Sequence, residues 1–147
     1  MEPRFKMGKV QPEAYKAMGA LDNYIASIAV NQLHQELIRI RASQINGCAY
    51  CVNAHTGDAR KHGETEQRMH LIAVWREARN IFTEEEQALL EMTEEITLIH
   101  QHGLSTRLYE KSMELFGQEK TAQVIMTIIG INAWNRIGVS LKMEPEM

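Results

Sequence analysis

The stretch Gly47-Cys48-Ala49-Tyr50-Cys51-Val52-Asn53-Ala54-His55 contains both cysteines of the chain, separated by two residues, with a histidine four residues further on. On a helix turning about 100° per residue, Cys48, Cys51 and His55 fall within roughly a 60° arc of one face. Asn46-Gly47 is a helix stop, so Cys48 is expected in the first turn of a new helix that runs to about His62 and ends at Gly63. Unsatisfied N–H groups and the helix dipole favour a thiolate there, and His55 stands one turn beyond Cys51, where it can take a proton. Thiols at i and i+3 also close to a disulfide with little rearrangement, so a sulfenic acid on one is resolved by the other.

Outward from this stretch, apolar residues recur at three- and four-residue spacing and no strand-like alternation appears. The fold class is therefore all-α, a single-domain bundle of about six to seven helices over residues 1–147, with its core at about 12–141. A first helix starts at Pro12 and runs to about Ile28. A second starts near Asn31, carries Leu33, Leu37, Ile40 and Ile45, and holds Glu36 at the edge of that stripe. Met69, Ile72 and Trp75 mark a fourth helix after the cysteine helix. Thr83 to Glu86 reads as a capping box for a fifth, which stops at Gly103. Ser105 caps a sixth that ends at Gly117, and Gln118 to Leu141 forms a last helix, apolar on nearly every side and so central or covered by a subunit. The start of the chain is expected to fray, and the end, Lys142 to Met147, lacks a helix-packing pattern.

Composition narrows the function. With 44% hydrophobic and 24% charged residues the chain reads as globular, and 16 basic against 19 acidic residues, mixed along its length, leave no stripe for nucleic acid. The stretch Val124–Trp134 is too short and too often interrupted to span a bilayer. Met1 to Val10 has no apolar run of signal-peptide length, so the cytoplasm is the expected compartment. In such a reducing setting, two close cysteines are more plausibly reactive or metal-binding than a structural staple.

Two plainer readings stand beside the redox dithiol. In one, the cysteines are small buried hydrophobes and His55 a satisfied interior histidine. In the other, Cys48, Cys51 and His55 bind zinc with Glu36 or His62 as fourth ligand, although structural zinc sites usually draw a second ligand pair from a distant segment. A thioredoxin-type C-x-x-C needs a βαβ context that this sequence lacks.

At Glu36 and Cys48-x-x-Cys51-x-x-x-His55 the sequence resembles the alkylhydroperoxidase AhpD-like branch of the carboxymuconolactone decarboxylase superfamily. Eleven residues separate Glu36 from Cys48, as in that pattern, and His55-Thr56, Ala59-Arg60-Lys61 and Gly63 continue it. The likeness extends through Trp75-Arg76-Glu77, Phe82 to Glu86 with Ala88-Leu89, and Asn132 to Arg136. It implies a thiol-dependent peroxidase acting on organic hydroperoxides, with Glu36 and His55 as a proton relay. Cys51 would then attack peroxide and Cys48 would resolve the sulfenic acid, although the first-turn position argues equally for the reverse order. It implies no bound cofactor or metal, an external dithiol reductant of lipoyl type or a lipoyl protein, and a homo-oligomer, a trimer or hexamer.

Tyr50 departs from the pattern, since the best-known peroxidase members have a relay histidine between their cysteines. A phenol with a pKa near about 10 is a poor base at neutral pH, and packing in the core is the expected role. Other chemistries on this scaffold are a decarboxylase acting on a lactone acid, which does not use the dithiol, a general disulfide reductase, or a non-catalytic redox sensor. His100 and His102 are expected to cap a helix end or stay solvated rather than bind metal, and the nine methionines to fill core gaps. Asn135-Arg136 fits either a subunit contact or a hydrogen-bond network near the site.

Overall fold

The computed structural model describes residues 2–147. Helices α1 (Met7–Val10), α2 (Pro12–Ser27), α3 (Gln32–Asn46), α4 (Ala49–Lys61) and α5 (Glu66–Leu71) are followed by two 3-10 helices, Ile72–Glu77 and Arg79–Ile81. Helices α6 (Glu84–Thr97), α7 (Ile99–His102) and α8 (Thr106–Ser140) complete an all-α fold, with no strand among the described residues. None of these helices is long and apolar enough to cross a membrane.

The helix ends lie where local chemistry puts them. The His34 N–H donates to Asn31 Oδ1 at 2.8 Å, opening α3, and Gly47 closes it in the left-handed region at φ 68°. Thr83 and Glu86 form the expected reciprocal capping box at the start of α6. Ser105 caps α8, and the expected break at Gly117 appears as a single residue at φ 76° inside an otherwise continuous run. The expected sixth and last helices are thus two arms of one element.

Three expectations are corrected. The N-terminal segment is not frayed throughout: α1 forms, and the Arg4 N–H donates to the Leu141 carbonyl at 3.0 Å, tying the segment to the end of α8. The Met69–Trp75 span is not one α-helix. It tightens to 3-10 geometry after Leu71, with Val74 out of helical geometry, and this turns Ile72 and Trp75 both into the core. The fifth helix unwinds at Leu98 before the short α7, on which His100 and His102 are exposed.

Helix α3 divides the core. Ile38 and Ala42 join Leu89, Met92, Leu108, Val124 and Ile128, contributed by α6 and α8, in one cluster. Leu37 and Ile40 join Ala59, Met69, Ile72 and Trp75 in another. α3 is therefore the central helix, packed on α4, α6 and α8. α8 is central along most of its length, but Ile129 and Val139 remain exposed on its outer face.

Candidate active site

The turn from α3 into α4 is fastened from three sides. The Cys48 N–H donates to the Ser43 carbonyl at 3.0 Å. Asn46 Nδ2 donates to Asn132 Oδ1 and Asn135 Oδ1, both at 2.9 Å, and Asn135 Nδ2 donates to Ser43 Oγ at 2.9 Å. Asn135 is wholly buried, so of its two expected roles it serves the hydrogen-bond network. Arg136 points outward and, among the described residues, bonds only to Asn132, through its carbonyl and Oδ1.

Cys48 is the N-cap of α4, one position earlier than expected, and its Sγ accepts the Cys51 N–H at 3.3 Å. The two cysteines are joined in a disulfide, with Cα atoms 5.3 Å apart. Cys48 is no more accessible than Cys51: they are 2% and 5% exposed. The covering element is α8, whose Gly138 leaves room for the sulfurs. A Cβ at this position would stand 2.9 Å from Cys48 Sγ and 3.4 Å from Cys51 Sγ. The two cysteines also border different spaces. Cys51 lines a cleft of about 360 Å³ with His55, whereas Cys48 lines a shallow depression beside Pro145 and Met147 of the C-terminal tail.

His55, one turn along α4 from Cys51, is half-buried, and its Nδ1 lies 2.9 Å from Glu36 Oε2. A carboxylate only accepts, so Nδ1 carries the proton and Nε2 is left as the basic nitrogen. Glu36 is not at the edge of a stripe but buried at 2% exposure, and Arg39 Nη1 donates to its second oxygen at 2.6 Å. The guanidinium offsets the cost of burying this carboxylate and fixes its plane. The structure thus brings Glu36, His55, Cys51 and Cys48 together.

Three participants were not legible beforehand. Arg39 sits one turn after Glu36 on α3, a spacing that can be read from the sequence once Glu36 is placed. Asp58 sits on α4, and its carboxylate approaches Glu36 and His55 so that one ligand atom from each lies within 4.8 Å of the others. These three could hold a cation, but both acids already have one: Arg39 on Glu36, and Lys61 on Asp58 at 3.1 Å. Gly138 gave no sequence signal, because its role depends on a tertiary approach. His62, the alternative zinc ligand, is exposed and lines another hollow with His34 and Glu86.

Tyr50 borders the cleft rather than filling the core, and its hydroxyl has no hydrogen-bond partner among the described residues. Ile25, Ile131, Trp134 and Met143 give the cleft apolar walls. The Trp134 indole N–H is held by Asp22 at 3.0 Å, fixing the ring against α2.

The fold and this site define an all-helical dithiol protein of the AhpD-like type. The chain belongs to the carboxymuconolactone decarboxylase family, whose model it matches over residues 12–95. It is 39% identical over 141 residues to the uncharacterized protein YdfG of Bacillus subtilis, an alignment covering 96% of this chain and 95% of that one. Over 47 residues, 32% of this chain and 26% of the other, it is 38% identical to the alkyl hydroperoxide reductase AhpD of Hyphomonas neptunium. A crystal structure from Agrobacterium tumefaciens, of a protein of unknown function proposed as an antioxidant defence protein AhpD, superposes with a TM-score of 0.95 at 37% identity and covers 99% of both chains. An uncharacterized peroxidase-related protein from Silicibacter shares the fold at a TM-score of 0.81 and 20% identity, over 92% of this chain and 72% of that one.

Proposed function

We propose that this protein is a thiol-dependent peroxidase that reduces organic hydroperoxides through Cys48 and Cys51. The observation that carries the reading is that Cys51 and His55 share one cleft, with His55 held by the buried Glu36 at 2.9 Å.

In the reduced protein, His55 Nε2 takes the Cys51 proton and Glu36 stabilises the imidazolium through Nδ1–H. The Cys51 thiolate attacks the distal peroxide oxygen. The O–O bond breaks, Cys51 becomes a sulfenic acid, and the alkoxide leaves as an alcohol with the proton from His55. Cys48, whose Sγ accepts the Cys51 N–H at the helix start in the disulfide form, gives up its proton and attacks the sulfenic sulfur as a thiolate; the S–OH bond breaks and the hydroxide leaves as water with the proton from Cys48. The product is the disulfide seen in the structure.

An external dithiol of lipoyl type, free or protein-borne, restores the thiols by two exchanges and is itself left as a disulfide. Attack from the cleft reaches Cys51 and releases Cys48, the sulfur with a hydrogen-bond donor to stabilise it as leaving group. The cycle needs no metal or bound cofactor. Assembly as a homotrimer or hexamer in the cytoplasm accompanies this reading, with the exposed Ile129 and Val139 of α8 available to a subunit contact. The test is peroxide consumption coupled to dihydrolipoamide. Many turnovers per subunit support the reading. A single event would make the pair a sensor, and turnover of a lactone acid without dithiol consumption would make the protein a decarboxylase.

A further inference from the structure

The Cys51 cleft is not closed at its far end. Tyr15, Tyr50 and Met143 line it and also line a second groove of about 460 Å³ between the N-terminal segment and the end of α8. This groove is walled by apolar groups, among them Phe5, Ile137 and Leu141. Phe5 and Tyr15 are 55% and 44% exposed, aromatic surface with nothing over it in the monomer. The segment is held in place, since the Arg4 guanidinium donates to the Ser140 carbonyl at 3.0 Å in addition to the backbone bond to Leu141.

Lys6 and Lys9 lie on the N-terminal wall, and no carboxylate of the described residues comes within 4.0 Å of either ammonium. Glu144 and Glu146 line the C-terminal wall, so the groove carries basic groups on one wall and acidic groups on the other beside its apolar lining. Two unpaired ammonium groups beside an apolar trough suit a chain that ends in an anion.

We infer that the groove is the acyl arm of the active-site cleft, and that the protein takes long-chain hydroperoxides ending in a carboxylate, the class formed when a fatty acid is oxidised. The hydroperoxide sits at Cys51, the chain passes Tyr50 and Met143, and the carboxylate meets Lys6 or Lys9. Tyr50, smaller in polarity than the histidine of the best-known relatives, then serves as the apolar threshold between the two spaces. The substrate assignment rests on the peroxidase reading, but the binding site does not.

The test is binding of oleate and of methyl oleate to the disulfide form, below the micellar concentration, followed by intrinsic tryptophan fluorescence in wild type and in Lys6→Glu/Lys9→Glu. Both lysines are exposed, so the variant keeps the fold. Wild type binds the acid more tightly than the ester, and the double reversal weakens the acid by roughly tenfold, with the ester unaffected. Equal binding of acid and ester, or an acid affinity indifferent to the variant, overturns the inference. So does absence of binding because a second copy of the chain covers the groove. Failure of peroxide turnover would overturn the proposed activity alone, since oleate binding requires no thiol.

Discussion

Gly138 of α8 faces Cys48 so closely that a methyl group on it would stand 2.9 Å from Sγ. Gly138 also lines the cleft that Cys51 borders, so the close approach forms part of the cleft wall beside the disulfide. Gly138→Ala is expected to destabilise the disulfide form by about 1–3 kcal/mol, the usual cost of overpacking. Urea unfolding of the oxidised protein reads this directly, and an unchanged midpoint would mean that α8 yields without strain.

The relay is tested at both ends. His55→Ala removes the base and should lower the rate of thiol oxidation by about a hundredfold or more, the low end of general-base effects. Glu36→Gln keeps a hydrogen-bond acceptor for Nδ1–H but removes the charge that stabilises the imidazolium, so its loss should be smaller than that of His55→Ala. Stopped-flow oxidation by cumene hydroperoxide orders the variants, and equal rates in all three proteins would remove the relay.

The cysteines have unequal roles in the proposed cycle. Cys51→Ser should abolish peroxide reduction, whereas Cys48→Ser should allow at most one event per subunit and leave a sulfenic acid that dimedone traps. Dimedone labelling of Cys48 in Cys51→Ser, with retained peroxide consumption, would reverse the assignment.

His34 supplies a pH dependence away from the site. Burial lowers its pKa below the ordinary 6.5, and Glu86, with its Oε1 3.9 Å from Nε2, only partly offsets this. Its Nδ1 is buried with no hydrogen-bond partner among the described residues. The folded state therefore favours neutral imidazole, while the unfolded chain takes a proton near pH 6.5. The stabilisation is complete above that pH and is lost as pH falls through the lowered folded value. His34→Leu should flatten the fall in urea midpoint between neutral and acid pH, and parallel profiles would refute the assignment.

The helix starts and stops were readable because each is a local transaction. Asn31, Gly47, Thr83, Ser105 and Gly117 act on their own backbone or within a few residues of it. The four expected site residues were readable from spacing and resemblance, and the structure brings them to one place. The 3-10 run after Leu71 was not readable, because its apolar spacing also suits an α-helix and tertiary contacts of Ile72 and Trp75 decide the form. Burial of Cys48 was not readable either, since Gly138 is 90 residues away and only packing brings it near. Arg39 and Asp58 carry meaning only after the α3–α4 pairing is known.

In the proposed cycle Cys48 and Cys51 pass between dithiol and disulfide at the expense of peroxide. The most direct measurement is an air-free thiol titration of the reduced protein before and after one equivalent of cumene hydroperoxide, followed by dihydrolipoamide. Both thiols of the chain should be lost on peroxide addition and return in full with dihydrolipoamide. Two thiols that persist through the peroxide, or that are lost and do not return, would contradict it.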